Sequence, residues 1–290
     1  MKKHNNVFSL KAYAKINLFL NVLKKKNNLH LLESLVCFVN LYDEIKIIKD
    51  KKFSIIITGP FKRYLNGKEN IIRKTVFNFS NLIGVEPHYK IFLNKKIPVA
   101  AGLGGGSSDA AAIIRGISKL NRHNLTNNEL YKFAQTIGSD VPVCLYNRSV
   151  FFTGYGEILK SCPKLPNFSL ILINPLKELS TKKVFKEYDK LFPNIKRKKI
   201  NLYNLNKKNF FSWILETQND LSEPAKKIIP EIKEIINILD SIDSCLFSRM
   251  SGSGPTVFGL FKNTLNAKKI QKIIKKNHPN WWSVVGGIKT

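Results

Sequence analysis

Residues 98–109 read Pro-Val-Ala-Ala-Gly-Leu-Gly-Gly-Gly-Ser-Ser-Asp and run directly into the apolar series Ala110-Ala111-Ala112-Ile113-Ile114. A glycine-rich loop that opens a helix makes a cradle for phosphate. Glycines let the backbone turn sharply and come close to a ligand. The N–H groups of Gly102, Gly104, Gly105 and Gly106, with those of the first helical turn, then point into one concavity, where the helix adds roughly half a positive charge. The hydroxyls of Ser107 and Ser108 can donate to phosphate oxygens. The bland explanation of a Gly/Ser stretch is a flexible linker. The flanking Ile97-Pro98-Val99 and the amphipathic pattern that follows argue against it. The loop is also neither common nucleotide fingerprint. No lysine follows Gly106, as the P-loop requires, and no acidic residue closes a strand about 20 residues on, as the dinucleotide loop requires.

The elements that must carry this loop can be read from periodicity. Ala12, Ala14, Ile16, Leu18, Leu20 and Val22 alternate with Tyr13, Lys15, Asn17, Phe19 and Asn21, which is a period-two strand with Lys15 and Asn17 on one face. Further strands are expected at about 34–48, 53–58 and 88–94, with a helix over 70–83. After the loop, Ala110, Ile113, Ile114, Ile117 and Leu120 fall at helical spacing. Thr126-Asn127-Asn128-Glu129 is a capping box that opens the next helix, which should end near Gly138. A strand pair is expected around 143–159 with a turn at Gly154-Tyr155-Gly156, and Pro163–Pro166 looks like a domain junction. Beyond it come a buried strand from Phe168 to Asn174 and helices at about 181–192, 207–217 and 222–240, the last split by Pro230. Two strands flank Ser251-Gly252-Ser253-Gly254-Pro255. A helix over 264–277 and a closing strand over 281–288 complete the pattern, and 198–209 reads as a solvated Lys/Asn loop.

Composition narrows the class. At 290 residues with 43% hydrophobic content the chain can bury a full core in two domains. It has no apolar run of 18 residues, and its start resembles no signal peptide, so a cytoplasmic protein is expected, without a membrane partner. The four cysteines (Cys37, Cys144, Cys162, Cys245) are widely spaced and read as reduced residues, not as a zinc or disulfide framework. The net charge of +28 would attract nucleic acid. The lysines are dispersed among asparagines and isoleucines, however, a bias that an AT-rich genome imposes through its codons. No nucleic-acid partner is expected, although the field would draw an anionic nucleotide inward.

Three segments stand together: Ala12-Tyr13-Ala14-Lys15-Ile16-Asn17-Leu18, the loop from Pro98 to Ala111, and Met250-Ser251-Gly252-Ser253-Gly254-Pro255-Thr256-Val257-Phe258. Their order and spacing resemble the three motifs of the GHMP small-molecule kinases. The triple glycine of Gly104–Gly106, the Ala-Lys-Ile-Asn strand and Gly138-Ser139-Asp140-Val141-Pro142 resemble in particular the members that phosphorylate a cytidine-diphosphate-linked methylerythritol in the non-mevalonate isoprenoid pathway. The resemblance covers essentially the whole chain. It implies an α+β, two-domain GHMP kinase fold. Residues 1–163 would form a domain like ribosomal protein S5 domain 2, and residues 164–290 a ferredoxin-like domain, with the active site between them. It also implies ATP and Mg²⁺ as cofactors, small molecules as partners, and a monomer or homodimer.

Residue roles follow from the same resemblance. Asp140 is the expected catalytic base, where a turn or cap aspartate is the plain alternative. Lys15 is expected beside it, where a solvated strand lysine is the alternative. Pro98, Val99, Ala100, Ala101, Gly102, Leu103, Gly104, Gly105, Gly106, Ser107 and Ser108 would hold the ATP phosphates, and Asn70 and Lys95 would lie at adenine. Asn17, His30, Phe185, Gly252, Ser253 and Gly254 would face the acceptor. The chain departs from the family at Asn27-Asn28-Leu29-His30, where members usually carry Asp-Gly-Tyr-His. Leu29 replaces a tyrosine that stacks on the cytidine. No carboxylate is assigned to Mg²⁺. Three other readings compete: a different GHMP kinase; a basic S5-like RNA-binding protein, which would need its cations clustered on one face; and a kinase that has lost turnover, which Leu29 alone supports.

Overall fold

The computed structural model describes residues 7–26, 29–65, 70–193, 197, 200, 205–206 and 208–289. In chain order the elements are β1 (Val7–Lys26), β2 (Leu29–Lys49), β3 (Ser54–Thr58), α1 (Ile71–Leu82), β4 (Tyr89–Asn94), α2 (Gly105–Leu120), α3 (Asn127–Ile137) and α4 (Val141–Tyr146). They continue as β5 (Val150–Gly154), β6 (Ile158–Ser161), β7 (Ser169–Asn174), α5 (Thr181–Leu191), α6 (Phe210–Leu215), α7 (Ser222–Ile228), α8 (Glu231–Asp240), β8 (Cys245–Met250), β9 (Val257–Phe261), α9 (Thr264–Asn277) and β10 (Trp282–Gly287).

The contacts group the chain into two compact units, and the groups interleave along the sequence. One comprises residues 1–14, 41–99 and 104–147; the other comprises 15–40, 100–103 and 148–290. Residues 15–40, 100–103 and 148–163, all on the N-terminal side of 163/164, thus group with the second unit.

In the first unit the end of β2 pairs antiparallel with β4, and β4 pairs parallel with β3. Ile45, Ile47, Ile91 and Leu93 are buried there. The helix α2 packs against α1, α3 and α4. Its Ala110, Ala111, Ile113, Ile114 and Ile117 are buried, which is why this stretch is apolar over so wide an arc. Thr126 and Glu129 close the capping box of α3 reciprocally, as expected. One expectation fails here. Residues 143–146, expected to begin a strand pair, belong instead to the helix α4. The run Val141-Pro142-Val143-Cys144 looks strand-like because it is β-branched and apolar. Pro142 falls in the first helical turn, where its missing N–H costs nothing, and Asn147 in the left-handed region ends the helix after six residues.

In the second unit β7 is followed by helices, then β8, β9, α9 and β10. The four strands lie in the order β10-β7-β9-β8, all antiparallel. This is the β-α-β-β-α-β arrangement of a ferredoxin-like domain. Ile171, Ile173, Val184, Ile232, Leu239, Val257 and Ile274 form its core. The start of β2 pairs with β5, and β5 with β6, in the same unit. The expected helix over 222–240 is divided at Pro230 into α7 and α8. The expected helix over 207–217 is shorter, 210–215, and Lys207 lies outside the described residues. The 198–209 stretch lies largely outside them as well, with only 200, 205, 206, 208 and 209 described. All four cysteines are free thiols. Burial pushes the Cys37 thiol up, which suits an inert core residue.

Candidate active site

The first half of the glycine loop is built inside the second unit. Lys15 donates its backbone N–H to the Leu103 carbonyl at 2.9 Å, and Thr256 donates to the Ala101 carbonyl at 3.3 Å. Residues 101–103 are thus held between the first motif strand and the third motif turn. Ser251 is the junction: its Oγ donates to the Gly102 carbonyl at 2.9 Å and accepts from the Asn17 N–H at 3.2 Å. Gly102 has φ +72°, and a Cβ there would lie 2.4 Å from the Ser251 carbonyl oxygen. Only glycine can let the loop run this close to the turn.

Lys15 and Asn17 do share a face. The Lys15 ammonium donates to Asn17 Oδ1 at 2.6 Å, and Asn17 Nδ2 donates to Ser34 Oγ at 2.8 Å. Lys15 is only 5% exposed, so it is no solvated strand lysine. Gly252 faces the same place, with Asn17 Oδ1 3.1 Å from the position of a Cβ. The turn is braced by a residue that sequence reasoning missed. Asn219 Nδ2 donates to the carbonyls of Met250 and Gly252, both at 2.8 Å. Ser253 Oγ lies 2.8 Å from Thr181 Oγ1. Arg249 supports β1 from below, donating to the Leu18 carbonyl at 2.7 Å, and burial pulls its guanidinium down to about 9.

Leu103 passes the chain to the first unit at Gly104, the left-handed N-cap of α2. Gly104 brings no side chain to cap this end, which leaves N–H donors of the first turn for an anion. Ser108 is not among the hydroxyls on offer. Its Oγ donates to the Tyr13 carbonyl at 2.6 Å and contacts Cys144 Sγ at 3.3 Å, so it anchors the helix. Ser107 is half-buried.

Asn70 caps α1, accepting from the Ile72 N–H at 2.9 Å. Lys95 is 2% exposed, and its ammonium contacts Asp43 at 2.5 Å and Asp109 at 2.6 Å. Two of the three N–H donors of the Lys95 ammonium are thus taken by carboxyl groups. Asp43 was not singled out from the sequence. The signal is its register: in β2 it shares the inward face with Ile45 and Ile47, an unusual place for an acid. Asp140 sits at the N-cap position of α4, yet its side chain makes no cap bond there.

His30 and Phe185 meet in the second unit, with ring centroids 4.6 Å apart and planes inclined by 21°. Asp189 was also missed. Its carboxylate takes His30 Nε2 and Lys25 Nζ, each at 2.6 Å. Burial works to raise the Asp189 carboxyl, but these two bonds outweigh it and hold it below the usual range. Leu29 is 58% exposed beside this pair and offers no flat surface for a base.

Within the second unit, residues 101–103 of the glycine loop are thus tied to the Lys15 strand and to the turn that begins at Ser251. Family comparison covers both halves of the chain. Residues 70–148 match the GHMP kinases N terminal domain, and residues 185–280 match the GHMP kinases C terminal domain. The chain belongs to the GHMP kinases, a family of ATP-dependent small-molecule kinases. It is 36% identical to the 4-diphosphocytidyl-2-C-methyl-D-erythritol kinase of Paramagnetospirillum magneticum, over 95% of this chain and 96% of that one. It is 37% identical to the kinase of the same name from Ehrlichia ruminantium, over 94% and 96%. A solved 4-(cytidine 5'-diphospho)-2C-methyl-D-erythritol kinase superposes with a TM-score of 0.79 at 25% identity, covering 98% of this chain and all of that one. The homoserine kinase of Cytophaga hutchinsonii shares the fold, with a TM-score of 0.73 at 21% identity over 100% and 96%. No helix among the described residues is long and apolar enough to cross a membrane.

Proposed function

We propose that the chain transfers the γ-phosphoryl group of ATP to the 2-hydroxyl of 4-diphosphocytidyl-2-C-methyl-D-erythritol. The product is the 2-phosphate, an intermediate of the non-mevalonate route to isoprenoid precursors. The observation that carries the choice of acceptor is near-full-length identity of 35–37% to kinases named for it. The fold alone does not choose, because homoserine kinase shares it.

The acceptor oxygen attacks the γ-phosphorus, the bond to the β–γ bridging oxygen breaks, and ADP leaves with that electron pair. The hydroxyl proton passes to the Asp140 carboxylate. The transition state is loose, so positioning and charge stabilisation supply most of the rate. The glycine loop from Pro98 to Ser107 holds the triphosphate. Lys15, already oriented by Asn17, offsets charge on the transferring group. Asn17, His30 and Phe185 orient the acceptor, and the Gly252-Ser253-Gly254 turn meets its diphosphate. Asn70 and Lys95 stay on the adenine side of this reading.

Mg²⁺, bound with ATP, would supply neutralisation of the phosphate charge. The described residues contain no cluster of three carboxylate, imidazole or thiolate groups suited to a metal ion, and Asp109 is committed to Lys95. We therefore assign Mg²⁺ no protein ligand. The proposal also includes a cytoplasmic monomer or homodimer, and a module boundary near 163/164, between the two family matches.

The test is an acceptor panel. The cytidine-linked methylerythritol, homoserine and mevalonate are each incubated with ATP, and ADP formation is followed. Turnover confined to the first supports the reading. Preference for either of the others contradicts it.

A further inference from the structure

Beneath the phosphate loop, two carboxyl groups share one ammonium. Lys95 Nζ lies 2.5 Å from Asp43 Oδ2 and 2.6 Å from Asp109 Oδ2, and all three side chains are nearly sealed from solvent. The cluster touches the loop itself. Gly105 opens α2, and a Cβ there would lie 3.1 Å from Lys95 Nζ and 3.0 Å from Ile97 Cγ2. Asp109 is the fifth residue of the same helix.

Counting charge exposes a conflict. With both carboxyls ionised the cluster carries a net negative charge, buried next to the helix end that must receive a triphosphate. A buried charge without compensation is strongly unfavourable, and it would repel the nucleotide. The hydrogen bonds resolve which carboxyl gives way. Asp43 accepts from Lys95 and from the backbone N–H groups of Lys96 and Ile97. Asp109 accepts only from Lys95, and its Oδ1 is buried with no partner among the described residues. Donors to a carboxylate favour its charged form, so the proton falls to Asp109, the carboxyl with fewer donors.

We propose that Asp109 is a carboxylic acid in the folded kinase, that Asp43, Lys95 and Asp109 form an electrically neutral strut under the phosphate loop, and that ionising Asp109 weakens ATP binding. Asp109 is a positioning residue: it acts on the nucleotide through α2. Burial, with Asp43 adding to it and Lys95 opposing, pushes its carboxyl up to about 8. Burial alone would lower Lys95, but the two carboxyls beside it raise it, so the cation persists. Of the ionisable groups on the helices packed against Asp109's own, α1 carries Arg73 and Lys74, both exposed, α3 carries Glu129, Tyr131 and Lys132, and α4 carries Cys144 and Tyr146, while α2 itself carries Arg115.

The inference rests on the loop being the ATP site, not on the identity of the acceptor. The experiment has two readouts. The first is affinity for a non-hydrolysable ATP analogue by calorimetry, from about pH 7 to about pH 9. Wild type should bind about fivefold to tenfold more weakly at the upper end, as the competent fraction falls. Asp109→Asn should remove that slope. The second is the infrared carbonyl band of a protonated carboxylic acid, present in wild type near neutral pH and missing in Asp109→Asn. Absence of the band in wild type, or an unchanged slope in Asp109→Asn, overturns the proposal. A chain that binds no analogue at any pH overturns its ATP half together with the kinase reading, while the infrared band still decides the proton.

Discussion

Ser251 Oγ donates to the Gly102 carbonyl at 2.9 Å, across 149 positions of sequence, and ties the third glycine motif to the phosphate loop. The same hydroxyl accepts from Asn17, so one serine joins all three motif segments. The bond fixes the loop's path against the turn.

Gly102→Ala should therefore be severe. The left-handed backbone alone costs about 1–3 kcal/mol for a residue with a Cβ, and the collision with the Ser251 carbonyl adds to it. Thermal unfolding should show a lowered midpoint, and the KM for ATP should rise. Ser251→Ala should cost about 1–3 kcal/mol by leaving the Gly102 carbonyl and the Asn17 N–H without their partner.

Lys95→Met should destabilise more than any surface lysine substitution. Removing one member of a buried ion cluster costs about 3–5 kcal/mol, because the charge left behind has no partner. Urea unfolding of Lys95→Met and of Lys272→Met, whose lysine is not buried, should separate the two by that amount.

Asp109 also predicts a pH dependence of stability. Its carboxyl is raised in the fold from 3.8 to about 8. Between those values the native state holds a proton that the unfolded chain has released, so stability falls as pH rises. The contribution is complete below about pH 4 and gone above about pH 8. Unfolding free energy measured against pH should decline more steeply in wild type than in Asp109→Asn.

How much of this was legible in the sequence depends on range. The strand carrying Lys15 and Asn17, the capping box at Thr126 and the glycine loop are local patterns, and each appears where its periodicity puts it. The break at Pro230 is equally local. The expected strand pair overlaps α4 at 143–146 because Val143 and Cys144 are apolar for packing, and six residues are too few to reveal a helical period. The Asp43–Lys95–Asp109 cluster joins residues 52 and 14 positions apart. The His30–Asp189 bond spans 159. Neither spacing leaves a mark on a single sequence beyond an acid on an apolar face.

Leu29→Tyr should improve the acceptor site. A stacked aromatic pair adds about 0.5–1.5 kcal/mol beyond its buried area. The KM for the cytidine-linked acceptor should fall about twofold to tenfold, with the KM for ATP unchanged. Steady-state kinetics with each substrate varied in turn would check this.

The most direct test of the account is ADP formation with 4-diphosphocytidyl-2-C-methyl-D-erythritol as acceptor, in wild type and Asp140→Asn. The account predicts acceptor-dependent turnover in wild type. In Asp140→Asn it predicts a kcat lower by about 10²–10⁴-fold, with both KM values little changed. Wild-type turnover that survives intact in Asp140→Asn would contradict the assigned base. No acceptor-dependent ADP in a wild-type chain that still binds ATP would contradict the assigned reaction.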